Sequence, residues 1–255
     1  IDAKTLPANQ DVWVRELKRG IMTRLTFDPQ VDTMPVWSPD GKQLAFSSNR
    51  VNGVQQVFRK DVSGAGMEEQ LTDGPNNKLV LDWSKDGKYI LYRETSPNTG
   101  RDLMMLPLEG DRKPLVLANT AFEENTGSFS PDSRWVAYTA NDAGGNQIYV
   151  QALPGVGGPT GRWQVSTGDP YDVRWRGNEI YYETQDRKMM AVTVQTGAQG
   201  VRAESPRQLF VADLQRGSLR EFGVSSDGHR FLLILNKKQA ETDRLTVVSK
   251  WQAAV

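Results

Sequence analysis

Apolar and polar residues alternate with a period of two in short segments along most of the chain, and turn-forming residues separate these segments. The clearest example is residues 34–49, MPVWSPDGKQLAFSSN, in which alternate positions of 43–48 fall on opposite faces of a strand. The Ser-Pro-Asp-Gly within it suits a turn, because proline presets φ, aspartate caps the backbone and glycine adopts positive φ. The segment predicts a strand, a tight turn and a second strand.

This strand-turn-strand segment returns four more times. The copies align on the large apolar residue before each turn, which is found at Trp37, Trp83, Phe129, Trp175 and Val224. Successive copies are therefore 46, 46, 46 and 49 residues apart. A period of about 40 to 50 residues with only strand signals inside it is typical of a four-stranded propeller blade. We predict an all-β fold and a β-propeller.

The repeats divide the chain into units that we place in one propeller domain over residues 1–255. They lie near 34–73, 80–119, 126–167, 172–212 and 220–251, after two outer strands at 11–27. The first unit lacks its two inner strands and the last lacks its outermost strand, so 21 strands are expected. Either the chain belongs to a six-bladed ring, which we favour, or five blades close with the N-terminal strands at the seam.

Composition narrows the classes of function. The 31 basic and 31 acidic residues balance, so no overall field favours nucleic acid or an anionic membrane surface. No apolar run approaches the roughly 20 residues of a membrane helix, so we expect no direct membrane insertion. The absence of cysteine excludes disulfides, thiolate metal ligands and cysteine nucleophiles. Because the sequence starts at Ile1 without a signal-peptide pattern, we expect it to come from a precursor or a larger protein.

The segment WSPDGKQLAFSSN resembles the WD40-like Ser-Pro-Asp-Gly repeat of TolB-type β-propellers, and the resemblance covers nearly the whole chain. Longer stretches such as VWVRELKRGIMTRLTF and LMMLPLEGDRKPLVLANTAFEENTGSFSPDSRWVAY resemble the C-terminal propellers of bacterial eukaryotic-type Ser/Thr kinases and winged-helix regulators. This resemblance implies a non-catalytic sensor or binding domain, periplasmic or otherwise extracytoplasmic in the kinase case. The chain departs from the repeat at Lys85, at Ser133 and in the fourth turn, residues 176–179.

Residues suited to catalysis are sparse. His229 is the only histidine, and it follows the fifth turn at a position where other copies carry lysine or arginine. No Gly-x-Ser-x-Gly segment occurs, and the glycine-rich residues 141–147 and 154–161 lack the spacing of a phosphate-binding loop. Turn chemistry, rather than a metal or a reaction, explains the aspartates that recur in the turns. These are Asp40, Asp86, Asp132 and Asp227. We predict a non-catalytic chain with no cofactor and no metal.

In a propeller, the connections between blades and those between the second and third strands of each blade emerge on one face, around a central funnel. Residues of these connections, with the first residues of each inner strand, are candidates for ligand binding. They are Asp32, Thr33, Asn49, Arg50, Asn76, Asn77, Lys78, Arg93, Glu94, Glu123, Glu124, Asn125, Asn141, Asp142, Tyr171, Asp172, Arg220 and Glu221. Mixed charge, amides and a tyrosine favour a protein or peptide ligand, or a glycan, over an apolar molecule.

Two other functions stay open. Asp32, Asn77, Glu124 and Asp172 could supply oxygen ligands to calcium if their loops converged, as in a lactonase- or hydrolase-like propeller enzyme. The third hypothesis is a structural scaffold.

The funnel hypothesis makes a mutational prediction. Alanine at Arg50, Arg93 or Arg220 should weaken binding by around tenfold without lowering the melting temperature, because loop side chains do not hold blades together. Alanine at Trp37 or Trp83 should instead cost about 3 to 5 kcal/mol of stability by emptying the space between blades.

Overall fold

The computed structural model describes residues 10–142, 144–215, 221–236 and 246–249, the last four as backbone only. In these ranges every regular element is a β-strand, which confirms the all-β prediction. None of the residues described belongs to a helix that could cross a membrane.

The strands form antiparallel sheets that follow one another along the chain. The N-terminal pair contains β1 (Trp13–Arg15) and β2 (Met22–Arg24). Blade 1 contains β3 (Asp32–Trp37), β4 (Gln43–Val51), β5 (Val54–Asp61) and β6 (Glu69–Gln70). Blade 2 contains β7 (Lys78–Trp83), β8 (Tyr89–Ser96), β9 (Gly100–Pro107) and β10 (Leu115–Ala118). Blade 3 contains β11 (Glu124–Phe129), β12 (Trp135–Ala140), β13 (Gln147–Ala152) and β14 (Arg162–Gln164). Blade 4 contains β15 (Pro170–Arg176), β16 (Glu179–Thr184), β17 (Lys188–Gly197), β18 (Gly200–Ala203) and β19 (Arg207–Val211). Blade 5 contains β20 (Phe222–Val224), β21 (Arg230–Leu233) and β22 (Thr246–Ser249).

Blades 1, 2 and 3 each pair four strands in chain order, as a propeller blade requires. Blade 4 departs from this plan. Its ten-residue strand β17 pairs with β19 along its first part and with β18 along residues 194–197. The prediction of 21 strands is therefore wrong, since 22 occur in the described ranges. The additional strand is β18, which forms a hairpin where the pattern of residues 188–212 indicated a single pair of outer strands.

The repeated turns are built as their sequence predicts. In the first, the Ser38 hydroxyl donates to Asp40 Oδ1 at 2.7 Å, and the backbone N–H of Lys42 donates to the same oxygen at 3.1 Å. Gly41 adopts a φ of 69°, which favours glycine. The same serine–aspartate bond recurs at three other turns. They pair Ser84 with Asp86, Ser130 with Asp132, and Ser225 with Asp227.

The large apolar residue before each turn packs against the preceding blade. Trp83 is 3% exposed and lies in a cluster with Val36, Ala45 and Val57 of blade 1. Phe129, Trp175 and Val224 lie in corresponding clusters with residues of blades 2, 3 and 4. Trp37 is different, because its side chain is 49% exposed. The expectation that Trp37 fills a space between blades is wrong: the N-terminal pair that precedes blade 1 consists of outer strands only, and they do not cover it.

Hydrogen bonds between inner strands join neighbouring blades. Asp82 Oδ2 accepts from the Ser128 hydroxyl at 3.0 Å and from the Phe129 N–H at 2.9 Å. The same Ser128 oxygen accepts from the Trp175 N–H at 3.2 Å. Ser128 and Trp175 are 47 positions apart, so the sequence period becomes a physical contact from one blade to the next.

Candidate funnel for ligand binding

The predicted loops meet at one end of the blades, called here the funnel face. At each of four places a side-chain oxygen at this end of the blades accepts a backbone N–H from a segment 18 to 23 positions away in the sequence, at 2.6 to 2.9 Å. The bonds join Asn49 to Val31, Asn77 to Gln55, Asn141 to Glu123, and Asp169 to Asn146. Asn49, Asn77 and Asn141 thus hold the loops in place. Asp169 does the same and was missed, because its short Thr-Gly-Asp loop carries no signal of its own.

Arg50 lies in strand β4, not in a loop, and it is the centre of a partly buried ion network. Its Nη2 donates to both oxygens of Asp32 at 2.8 and 2.9 Å, and its Nη1 pairs with Glu68. The guanidinium also lies 4.7 Å from the centre of the Phe58 ring. These contacts fix blade 1 internally, so Arg50→Ala should lower stability, contrary to the prediction from the sequence.

Asn76 and Lys78 form a second polar group at the start of blade 2. Asn76 Nδ2 donates to Glu94 Oε1 at 2.7 Å, and the Lys78 ammonium lies 3.7 Å from Glu94 Oε2. The same ammonium donates to the Asn76 carbonyl at 3.0 Å. Lys78 is buried, so its charge is used within the fold.

Arg93 has a buried side-chain donor without a hydrogen-bond partner in the described ranges. This donor is its Nε, and the residue is only 8% exposed. Burial, with the nearby Arg101, lowers the pKa of Arg93 to about 10. A buried donor without a partner is costly, so it favours an acceptor that reaches it.

Arg101, at the start of β9, lies beside the predicted residues but was not predicted itself. Its Nε lies 3.2 Å from Glu123 Oε2 and its Nη1 donates to Asn125 Oδ1 at 2.7 Å. Both charged side chains are more than a third exposed. Arg101 could have been found from its position directly after the turn at Gly100, whose φ of 87° suits glycine.

Glu124 begins strand β11 and is fully buried. Its Oε1 accepts from the Thr120 hydroxyl at 2.6 Å, and its Oε2 has no partner in the described ranges. Burial raises the pKa of Glu124. Burial also raises the pKa of Asp102, which accepts from the Thr99 hydroxyl at 2.5 Å.

Blade 4 places one candidate at the surface and pairs another. Tyr171 is 37% exposed. Asp172 is buried and accepts from Arg174 Nη1 at 2.6 Å, while the Arg174 guanidinium lies 5.3 Å from the centre of the Phe222 ring in blade 5. Glu221 is buried at the start of blade 5. Arg220 lies outside the described residues.

The remaining candidates occupy separate surroundings. Asp142 accepts from the Tyr149 hydroxyl at 2.6 Å and pairs with Arg162. Thr33 is partly exposed on β3.

The calcium hypothesis gains no support from this arrangement. Among the described residues, no group of three or more His, Cys, Asp or Glu side chains could hold a metal ion. Asp32 is paired with Arg50 and Asp172 with Arg174, each within its own blade.

The single histidine does not reach the funnel face. His229 is exposed in the turn between the first two strands of blade 5, at the opposite end of the strands. The backbone N–H of His229 donates to Asp227 Oδ1 at 3.0 Å, as the backbone N–H of the equivalent residue does in the other turns. The funnel face therefore carries charged and amide groups without a histidine base.

Sheets of this kind, repeated and joined through their inner strands, define a β-propeller of antiparallel blades. The profile of the PD40 family, described as the TolB beta propeller domain, matches residues 3–150. The chain belongs to this family.

Two curated bacterial proteins are similar in sequence. The "Uncharacterized peptidase YuxL" of Bacillus subtilis is 27% identical in an alignment of 165 residues, and the match covers 51% of this chain and 25% of YuxL. The "Protein TolB homolog" of Protochlamydia amoebophila is 39% identical over 62 residues, 24% of this chain and 13% of that protein. The chain thus spans a quarter or less of these relatives.

Solved structures show the same fold at low sequence identity. TolB from Acinetobacter baumannii has a TM-score of 0.70 and 15% identity, covering 93% of this chain and 56% of that one. An oligogalacturonate lyase from Vibrio parahaemolyticus has a TM-score of 0.55 and 12% identity, covering 94% of this chain and 82% of that one. At these identities the likeness shows the fold alone.

Proposed function

We propose that this propeller is a non-catalytic binding module whose funnel face takes a protein or peptide segment. The observation that carries the proposal is the set of four side-chain hydrogen bonds that fix the loops of this face. Fixed loops lose little conformational freedom when a ligand binds, so a polar surface on them can bind with useful affinity.

The exposed groups on that surface suit a polar peptide. Arg101, Glu123 and Asn125 offer donors and acceptors of both signs, and Tyr171 offers an aromatic face. Charge-assisted hydrogen bonds at such a partly desolvated face are each worth roughly 1.5 to 3 kcal/mol. A glycan is the second ligand class that hydroxyl and amide contacts of this kind would accept.

The setting we propose is a larger bacterial signalling protein, with the propeller acting as a sensor outside the cytoplasm. The motive is the resemblance to propellers that follow kinase domains, together with membership of the TolB propeller family. Recovering the flanking sequence tests this: a kinase domain and a membrane helix before the propeller support it, and a cytoplasmic hydrolase domain beside it contradicts it.

Peptide binding at the funnel face can be measured with peptides selected from a random display library against the chain. We expect Arg101→Ala and Tyr171→Ala to weaken the selected peptides by about tenfold, measured by fluorescence anisotropy. Arg202→Ala, an exposed arginine on β18, is the matched control and should leave affinity unchanged. Loss of affinity in the control alone would place binding on the outer hairpin and overturn the funnel proposal.

A propeller enzyme is the second candidate, favoured by the peptidase name of one relative and the lyase title of one structural neighbour. Incubation with peptide, ester, lactone and oligogalacturonate substrates tests it. Turnover that disappears in Glu124→Ala or Asp172→Ala would establish the enzyme instead of the binding module.

A further inference from the structure

Three cationic side chains are buried in the part of the chain that the structure describes, and two of them have an acidic partner. The Lys78 ammonium lies 3.7 Å from a Glu94 oxygen, and Arg174 Nη1 lies 2.6 Å from Asp172 Oδ1. The third is Arg93, which forms no hydrogen bond and no ion pair with any of the residues described. Its charge is buried without a partner in that part of the fold.

An arginine in this position cannot avoid the cost of burial by becoming neutral. Burial and the charge of Arg101 lower the pKa of Arg93 to about 10, so the guanidinium still carries its proton at neutral pH. A buried charge without a partner destabilises the fold, and an anion that supplies the partner removes this cost. Arg93 therefore marks a place where an acceptor from another molecule would be stabilised.

The repeat shows that the fold does not require an arginine at this position. The residues 46 positions before and after Arg93 are Ser47 and Thr139. The Ser47 hydroxyl accepts the Val80 N–H of the next blade at 2.9 Å, and the Thr139 hydroxyl accepts the Thr126 N–H at 3.1 Å. Both hydroxyls thus satisfy inner strands, whereas the guanidinium of blade 2 satisfies none of the described groups.

Arg93 lies where blades 2 and 3 meet, close to the funnel face. Alternate residues of β8 point to opposite sides of the sheet, so Leu91 and Arg93 share a side. Leu91 packs in a cluster with Phe129 and Tyr138 of blade 3. Arg93 therefore faces blade 3 as well, two residues nearer to the end of β8 at Ser96.

The acid nearest in charge to Arg93 is held by another arginine. Glu123 acts on Arg93 through its charge, but its Oε2 lies 3.2 Å from Arg101 Nε. Gly100 also lies against this carboxylate, since a Cβ there would come within 2.7 Å of Glu123 Oε1. Of the three Arg93 nitrogens, only Nε is both fully enclosed and without a partner. Nη1 and Nη2 are therefore the donors that a ligand would reach first.

We propose that Arg93 anchors the ligand of the funnel face by binding one of its carboxylates, either the C-terminal group of a peptide or an aspartate or glutamate side chain. The two oxygens of a carboxylate match the parallel N–H donors of a guanidinium. Because Glu123 offsets the charge of Arg101, the surroundings suit a single negative charge better than the double charge of a phosphate. The inference rests on the proposed binding function and narrows its ligand to acidic or C-terminal segments.

The first test needs no peptide. The Nε–H signal of Arg93 is observed by NMR in low-salt buffer and assigned by its loss in Arg93→Lys. The chain is titrated with N-acetylglycine, which carries one carboxylate, and with N-acetylglycinamide as the matched control. We expect a saturable shift with the acid and none with the amide. No saturable shift with the acid, or a shift with inorganic phosphate alone, would overturn the proposal.

The second test uses the peptides selected from the display library. Each acidic side chain, and then the C-terminal carboxylate, is replaced by its amide, and affinity is measured by fluorescence anisotropy. One replacement should weaken binding about tenfold for the original chain but less than about twofold for Arg93→Gln. Arg202→Gln, at an exposed arginine of β18, is the control and should keep the tenfold loss. The sensitive replacement identifies which kind of carboxylate binds.

A thermal melt accompanies these measurements. Arg93→Gln should melt no lower than the original chain, because none of the described residues loses a partner. A melting temperature lowered by several degrees would show that the arginine has a structural role and would overturn the proposal.

The outcomes separate this inference from the proposed function. Peptides that bind at the funnel face but tolerate every amide replacement, or lose as much affinity for Arg93→Gln as for the original chain, would overturn the role of Arg93 and leave peptide binding intact. Failure to select any peptide, with a saturable Arg93 shift in N-acetylglycine, would contradict the peptide function and leave the carboxylate site.

Discussion

Trp83 and Trp37 occupy the same place in two copies of one repeat, and the molecule treats them differently. Trp83 is buried against the inner strands of blade 1, and its indole Nε1 donates to the Gly87 carbonyl at 3.2 Å. Trp37 has only the outer N-terminal pair before it and remains half exposed. The motif therefore specifies a strand, a turn and an apolar anchor, but the preceding blade decides whether the anchor becomes part of a core.

The largest expected effect is the difference between these two tryptophans on truncation. Trp83→Ala should lower the free energy of unfolding by about 3 to 5 kcal/mol, because it leaves a cavity between blades 1 and 2. Trp37→Ala should change it by less than about 1 kcal/mol, because that side chain already contacts solvent. Denaturant titration of both variants measures the comparison. Equal losses would show that Trp37 is covered in solution.

A smaller effect is expected within blade 1, where charge rather than apolar area is buried. Arg50→Ala should cost about 2 to 3 kcal/mol, because it leaves Asp32 buried without its partner. Arg101→Ala removes a more exposed arginine of the same face and should cost no more than about 0.5 kcal/mol. Thermal melts of the two variants distinguish a stabilising arginine from a binding one. The reverse order would mean that the Arg50 network contributes little.

The contact between the inner strands of blades 2 and 3 should come next. Asp82→Ala removes the acceptor shared by the Ser128 hydroxyl and the Phe129 N–H, and should cost about 1 to 2 kcal/mol. Asp40→Ala, which affects only an exposed turn of blade 1, is the control and should cost less. Urea titration measures both. If the two losses matched, the bonds between blades would be no more important than a local turn.

The smallest effect concerns pH. Because burial raises the pKa of Glu124, the folded protein holds its proton where the unfolded chain has released it, so this residue lowers stability as pH rises through its folded pKa. Glu124→Gln should therefore remove part of the stability loss between acidic and neutral pH. The Ser225 hydroxyl lowers the pKa of Asp227, so Asp227→Asn should act in the opposite sense and remove stability that appears as pH rises. Melting temperatures at a series of pH values test both signs.

The sequence predicted the parts of this molecule that depend on local chemistry. The Ser-x-Asp-Gly turns follow from hydrogen bonds within five residues, and the 46-residue period became the contact between Asp82 and Ser128. The hairpin of β18 was missed because Gly-Ala-Gln-Gly at residues 197–200 fits an ordinary connection between two outer strands as well as it fits the tight turn of an additional hairpin.

The candidate site was harder to predict than the fold, because burial depends on neighbours far away in the sequence. Arg50 and Arg93 were expected in exposed loops, but they lie in β4 and β8, which extend further toward the funnel face. Their burial comes from partners such as Glu68, which is 18 positions from Arg50, and from the adjoining blade. Asn49 was also expected in a connection and lies in β4, and its side chain, like those of Asn77 and Asn141, accepts a backbone N–H at this end of the blades.

The most direct test of the difference between closed and open blade interfaces is the solvent exposure of the tryptophan indoles. The measurement is NMR of the indole N–H groups with a soluble gadolinium chelate, with Trp37 and Trp83 assigned through their phenylalanine variants. We expect the Trp37 signal to broaden strongly and the Trp83 signal to persist at the same chelate concentration. Equal protection of the two indoles would contradict the open side of blade 1.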